Sequence, residues 1–336
     1  KSFTERSVMR IGFTYDLKED YNFHENMPSD VFAELDYQET IDDVVEAIEK
    51  GGHEVVRIGN VRNLMNRFSQ LDVDIIFNIC EGLWTRNRES EVPALLNVFK
   101  FPFVGSDALT LGLTLDKALA KKIFISDGLP TPKFFIADKT TDLNRFRFMR
   151  FPLIVKPRYE GSSKGISEQS VVRNNSELQA QVQYILDNYH QPAIVEEFIK
   201  GSEFTVVVIG NEKPQALPPV QIQILDKKDL GELIYTSRRV NNDDVQYICP
   251  SEISKKLELR LQDLAIKAYR SVECLDFGRV DFRVDQRGRP FVLEVNPLPS
   301  LALGDVFPLA AEAHGLTYED VISKIIDFAL QRHGLS

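Results

Sequence analysis

Hydrophobic and polar positions alternate with period two across residues 279–296. The apolar set is Val280, Phe282 and Val284, then Phe291, Leu293 and Val295, with Gly288 between the two runs. Alternation on both sides of a Gly-containing turn predicts an antiparallel hairpin. With residues 286–289 as a four-residue loop, Val284 stands opposite Phe291, Asp281 opposite Glu294 and Arg279 opposite Asn296. These polar residues share the face away from the aliphatic ones. Opposed residues hold their Cβ atoms roughly 4.5–5.5 Å apart, where facing like charges repel. Two carboxylates beside an Asn carbonyl suggest a hard divalent cation, and all-oxygen ligation suits Mg2+. A solvated hairpin face carrying Asp and Glu is the other reading of the same residues.

The rest of the chain alternates strand and helix patterns. Residues 9–15 read as a strand. Residues 38–50 carry Ile41, Val44, Val45 and Ile48 at helical spacing and stop at Gly51-Gly52. Residues 53–58 and 73–79 read as strands, with a helix over 64–68 between them. That order predicts a parallel α/β sheet, whose functional residues gather at the carboxyl ends of strands. The loop after the third strand, Glu81 to Glu89, therefore draws attention. It holds the chain's one Trp, Trp84, which either closes over a ligand or packs in the core. A short strand at 101–106 precedes a domain boundary near Asp107.

Beyond it, a helix runs from Leu115 to near Gly128, and residues 151–157 form a strand bearing Lys156. The Gly/Ser stretch that follows, 158–166, is a plausible phosphate cradle, since Gly lets backbone amides approach an anion. An ordinary hairpin turn has the same composition, and no Walker motif is present. A helix with Leu178, Val182 and Ile185 and strands at 193–199 and 203–209 come next. Residues 226–250 are polar, contain Arg238-Arg239 and read as a mobile loop. A helix at 253–272 leads into the hairpin, and Thr317-Tyr-Glu-Asp320 starts a closing helix.

Composition narrows the class. A chain of 336 residues, 43% hydrophobic and 27% charged, allows two or three ordinary globular domains. A net charge of −10 gives no footprint for nucleic acid. The sequence has no apolar run of bilayer length and no signal-peptide pattern, so neither membrane nor export is expected. Cys80, Cys249 and Cys274 are odd in number and lack zinc spacing, which fits reduced thiols in a cytoplasm. Residues 1–8 are polar and unpatterned.

Taken in order, these motifs resemble the D-alanine–D-alanine ligase family of ATP-grasp enzymes. The resemblance runs from about Met9 onward. It is carried by Leu115-Asp-Lys117, Gly128-Leu-Pro-Thr-Pro132, Val155-Lys156-Pro with Glu160-Gly-Ser-Ser163, and Glu196-Glu197-Phe-Ile199 with Gly201-Ser-Glu203. Arg279-Val-Asp281, Glu294-Val-Asn296-Pro-Leu-Pro and Phe307-Pro-Leu-Ala-Ala complete it. It implies an α/β, three-domain ATP-grasp fold: an N-terminal parallel-sheet domain at 9–107, a central subdomain at 108–200 and a C-terminal subdomain at 201–336. ATP would lie between the last two. By the same resemblance Lys117 and Lys156 would contact the nucleotide phosphates, with Ser162 and Ser163 on the loop closing over them. Glu196, Glu197 and Ile199 would line the adenine pocket through backbone groups, and Glu203 would hold the ribose. Asp281, Glu294 and Asn296 would bind Mg2+, or Mn2+ in its place, and Arg279 would stabilise charge on an acyl phosphate. The partners would be small amino-acid-type substrates, and a homodimer is left open.

Several positions depart from the family. Its Lys-Tyr pair ahead of a Tyr-x-Cys-Pro segment falls, counting back from Gln246-Tyr-Ile-Cys-Pro250, on Arg239 and Val240. Arg239 keeps the charge. The family's Ser-Leu, which receives the second substrate's carboxylate, falls near Asp305-Val306, and an Asp there would repel a carboxylate. The His-Gly…Gly-Glu-Asp-Gly segment is replaced by 81–89, beginning with Glu81. The acid near the first helix is best matched by Glu34. The ATP half thus matches while the substrate half is rewritten. An ATP-dependent carboxylate–amine ligase with substrates other than two D-alanines follows, with a true D-alanine–D-alanine ligase or a phosphate-transferring or nucleotide-binding protein as alternatives.

Overall fold

A computed structural model of the chain describes residues 8–24, 27–140 and 149–335; residues 1–7, most of the polar opening stretch, lie outside these. The elements β1 (Arg10–Thr14), α1 (Gln38–Lys50), β2 (Glu54–Gly59), α2 (Val61–Arg67), β3 (Ile75–Asn78), α3 (Glu91–Val98) and β4 (Phe103–Val104) come first. Their strands form one sheet in order β2–β1–β3–β4, with every pairing parallel. α1 turns Ile41, Val44, Val45 and Ile48 into the core, as its spacing requires.

α4 (Ala108–Leu115) and α5 (Lys117–Ser126) follow, and Asp116 between them caps α5 through the amides of Ala118 and Leu119. β5 (Phe134–Ala137), β6 (Leu153–Pro157), β7 (Val171–Val172), α6 (Asn175–Tyr189) and β8 (Ala193–Glu197) build a second sheet, antiparallel, in order β5–β8–β6–β7. Leu178, Val182 and Ile185 of α6 seal one of its faces.

The third sheet comes from β9 (Gly201–Ile209), β10 (Gln215–Ala216), β11 (Val220–Ile224), α7 (Ser237–Asn241), β12 (Val245–Ile248), α8 (Lys255–Ser271), β13 (Phe277–Asp285) and β14 (Pro290–Asn296). Its order is β12–β11–β9–β13–β14, with β10 paired to β9. α8 covers it with Leu261, Leu264 and Ala268. The last helices, α9 (Val306–Ala313) and α10 (Tyr318–His333), return to the first sheet, where Ile322, Ile325 and Ile326 pack with Val44 and Phe13. Thr317 and Asp320 cap α10 reciprocally.

Two expectations change. Residues 226–250 are not a mobile loop throughout. They contain α7 and β12, and β12 pairs with β11 from Gln221↔Ile248 to Ile224↔Val245. Val245 and Tyr247 alternate with polar neighbours and pack against Ile222, Ile224 and Leu230, an apolar pattern too short to stand out from the sequence. The hairpin also pairs differently near its turn. Asp281↔Glu294 and Arg279↔Asn296 hold, but the register then slips by one, so Phe282 faces Val292 and Val284 faces Pro290. A bulge at Leu293 absorbs the extra residue. Val292, not Phe291 or Leu293, thereby joins the core with Val280, Phe282 and Val295. Burying an aromatic or aliphatic side chain is worth roughly 1.5–3 kcal/mol. That sum fixes which face of the ribbon is apolar and so which face carries the acids.

Candidate active site

One cavity of about 1120 Å³ is lined by the second sheet (Lys156, Glu196), the third sheet (Glu203, Asp281, Glu294, Asn296) and loops of the first (Glu34, Glu81, Glu89). That volume exceeds the usual range for a single small ligand.

The hairpin supplies one wall. The Asp281 carboxylate accepts from Thr205 Oγ1 at 2.6 Å, Arg279 Nε and Nη2 at 3.0 and 2.9 Å, and Asn296 Nδ2 at 2.9 Å. Arg279 is raised: burial would lower it, but Asp281, Asp305 and Glu294 outweigh that. Glu294 accepts from Lys117 Nζ at 2.7 Å. Burial opposes its ionisation, yet Lys117, with Lys156 and Arg279, holds it at about 2. Glu294 is therefore anionic, and cations of the same wall face both acids.

From the second sheet, Lys156 donates to Glu196 at 3.0 Å, and behind the lining the fully buried Lys121 lies 3.4 Å from the other Glu196 oxygen. Burial pushes Lys121 down to about 8, against the pull of Glu196. Lys121 also donates to Thr131 Oγ1 at 2.9 Å. The side chain of Glu196 thus serves the two lysines. Glu197 and Ile199 line the cavity beside it. Glu203 pairs with Arg283 at 3.3 Å, and Arg283 is held in turn by the carbonyls of Gly201 and Leu233 at 2.8 and 2.6 Å. Lys121 and Arg283 were not picked out from the sequence. Lys121 lies one helical turn beyond Lys117, and that spacing was the available signal.

Ser162 and Ser163 line the cavity in left-handed conformation, φ 43° and 58°. Their loop is tied to the first sheet's loops: the Gly161 amide donates to Glu34 at 2.7 Å, the Gly165 amide to Asp30 at 2.8 Å, and Arg88 Nη1 to the Tyr159 carbonyl at 2.7 Å. A Cβ on Gly161 would collide with the Glu34 carboxylate, which explains the Gly in Glu160-Gly-Ser-Ser. Glu34 also accepts from Arg88 Nη2 on both of its oxygens, at 2.7 and 2.8 Å, and is paired with Lys164. Burial resists its ionisation, but Lys164 and Arg88 hold it at about 2.

Glu81 and Glu89 behave oppositely. Each has a carboxylate oxygen within 4.8 Å of the other and of Glu34. Burial, set against Arg88 and reinforced by Glu34, raises Glu89 to about 7. Burial and Glu89 raise Glu81 well above the usual carboxylate range. Asp305 lines the cavity with Val306 and caps α9 by accepting from the Val306 amide at 2.6 Å.

Two expected positions fall elsewhere. Arg239 does not line this cavity; it faces Glu168 at 3.2 Å and Asp244 at 3.8 Å, while Arg238 and Val240 line it. Counting back at fixed spacing assumed an extended loop, whereas α7 rotates each successive side chain by about 100°. Trp84 neither packs in the core nor lines the cavity. It is 65% exposed.

Residues 123–327 match the family model described as D-ala D-ala ligase C-terminus. An uncharacterised protein of Sinorhizobium fredii is 34% identical over 300 residues, 87% of this chain and 88% of that protein. A D-alanine–D-alanine ligase of Pelotomaculum thermopropionicum is 31% identical over 301 residues, 87% of this chain and 91% of that one. Among solved structures, a D-alanine–D-alanine ligase from Bacillus anthracis complexed with ATP superposes with a TM-score of 0.74 at 22% identity, covering 97% and 99% of the two chains. The VanG D-Ala:D-Ser ligase from Enterococcus faecalis gives 0.75 at 20% identity, covering 96% and 100%. At these identities the likeness is one of fold.

Proposed function

The chain belongs to the D-alanine–D-alanine ligase family and is an ATP- and Mg2+-using ligase of that type; from this premise we propose that it joins a carboxylate to an amine on substrates other than two D-alanines. The observation that carries the reading is the pairing of two neutralised walls, Asp281–Arg279 with Glu294–Lys117 on one side and Glu196–Lys156 on the other, around one cavity whose remaining lining includes Glu81, Val240 and Asp305.

The domains are taken as 9–107, 108–200 and 201–336, each with its own sheet. In the reaction a substrate carboxylate attacks the γ-phosphate of ATP, giving an acyl phosphate and ADP. A neutral amine then attacks the acyl carbon and phosphate leaves. Lys117 and Lys156 hold the anionic phosphates, and Ser162 and Ser163 present their loop's amides from above. Arg279 balances charge on the acyl phosphate as it forms. Glu203 and the backbone of 196–199 hold the ribose and adenine. The donor set fits a hard cation: Asp281 and Glu294 offer carboxylate oxygens, and Asn296 spends its amide on Asp281, so its carbonyl oxygen is the atom left for a metal. When bound, Mg2+ would neutralise phosphate oxygens, and these three residues would hold it. Closing the cavity keeps water from the acyl phosphate.

Asp305 supports the substrate change, since an Asp beside the accepting end disfavours a substrate carboxylate there. Purified protein given ATP, Mg2+ and D-alanine alone is expected to release little phosphate. Amino acid pairs screened for ADP release with mass detection should reveal a condensed product. Rapid D-alanyl-D-alanine formation would return the chain to the parent activity, and ADP without any amide product would make it a phosphate-transfer enzyme.

A further inference from the structure

We propose that Glu81 and Glu89 form a subsite for an organic cation, a side-chain ammonium or guanidinium carried by one of the two substrates. The inference rests on the ligase reading above and adds the substrate's charge class.

Both carboxylates line the same cavity as Lys117 and Asp281. Glu34, their neighbour, is already satisfied by Arg88, Lys164 and the Gly161 amide. Glu81 and Glu89 are not. Among the described residues neither receives a hydrogen bond, and the one ion pair of Glu89 is with Arg88 Nη2 at 4.0 Å, with Lys117 and Lys164 acting on it from farther off. Arg88 spends Nη1 on the Tyr159 carbonyl and Nη2 on both Glu34 oxygens, and its buried Nε has no partner. Yet Glu89 is only 7% exposed. A buried carboxylate without a partner is costly to keep ionised, and two within reach of a common atom resist ionising together. Burial raises both acids, and Glu89 raises Glu81 further.

An organic cation answers this better than a metal ion. Arg88 and Lys164 border the cluster and would repel a divalent charge, and Glu34 has no oxygen to spare. With Glu34 committed, two carboxylates remain for a ligand. An ammonium or guanidinium needs only such a pair, and charge-assisted hydrogen bonds of this kind are short and strong.

The test is calorimetric binding of amino acids, both enantiomers, to the full chain loaded with Mg2+ and a non-hydrolysable ATP analogue. Lysine, ornithine and arginine are expected to bind at least about tenfold tighter than norleucine and citrulline, a charge-assisted bond's share of affinity. Glu81→Gln and Glu89→Gln should each erase that preference while leaving nucleotide affinity unchanged, and Glu81→Lys should turn it toward glutamate. Equal affinity for cationic and neutral isosteres, or a preference untouched in both Gln variants, overturns the subsite and leaves two acids sharing a proton. A Mn2+ ion lost on Glu89→Gln but retained on Asp281→Asn overturns it in favour of a metal. Turnover separates the two readings: condensed products without cationic preference sink the subsite alone, whereas cation binding without any condensed product sinks the ligase reading alone.

Discussion

Asp281→Asn and Glu294→Gln are each expected to lower ATP-dependent turnover by about 10²-fold or more, the usual cost of removing one preorganised charge-stabilising group. The reasons differ. Asp281 gathers Thr205, Arg279 and Asn296 on one carboxylate, so Asn there loses the anionic ligand and also releases Arg279. Glu294 anchors Lys117, and Gln would leave a buried ammonium free to move from its place on the cavity wall. Phosphate release under saturating substrates measures the loss. A rise in the Mg2+ concentration needed for half-maximal rate should accompany it in both variants. Unchanged activity in both would remove the metal assignment.

Glu196→Ala should act on stability. Glu196 is 1% exposed and faces Lys156 at 3.0 Å and Lys121 at 3.4 Å. Removing it leaves Lys156 and Lys121 without their nearest counter-charge, and breaking a buried pair in this way costs about 3–5 kcal/mol. Lys121→Met should cost clearly less, because Lys156 still holds Glu196 and the methionine fills the space of the lysine stem. Urea unfolding of the two variants at neutral pH compares them. A loss under about 1 kcal/mol for Glu196→Ala, within the range of an exposed pair, would mean that water reaches the site and screens it.

The hairpin was readable because its period is two and its apolar face is buried, which left one register for the acids. Its bulge was not. Leu293 looks like any other aliphatic residue, and only the packing of Val292 against Phe282 selects the slip. The prediction for Asp281 and Glu294 survived because the slip lies on the turn side of that pair. The parallel first sheet and α1 were likewise visible as periodicity. Charged residues inside helices were harder. Lys121 carries no signal of its own until β8 places Glu196 beside it, and Arg239, matched to a phosphate-handling position, is turned by α7 toward Glu168. Glu89 lies in a stretch that drew attention, yet its approach to Glu34 and Glu81 depends on how the loop after β3 folds against residues 30–36. Contacts between segments distant in sequence, with no alternating pattern of their own, carry no local signal.

The most direct check on the ribbon's role is anomalous diffraction from crystals soaked with Mn2+ and a non-hydrolysable ATP analogue. The account predicts a Mn2+ peak bonded to oxygens of Asp281, Glu294 and Asn296, with the triphosphate between it and Lys117 and Lys156. A peak seated instead among Glu34, Glu81 and Glu89, with Asp281 still closed on Arg279, would contradict it.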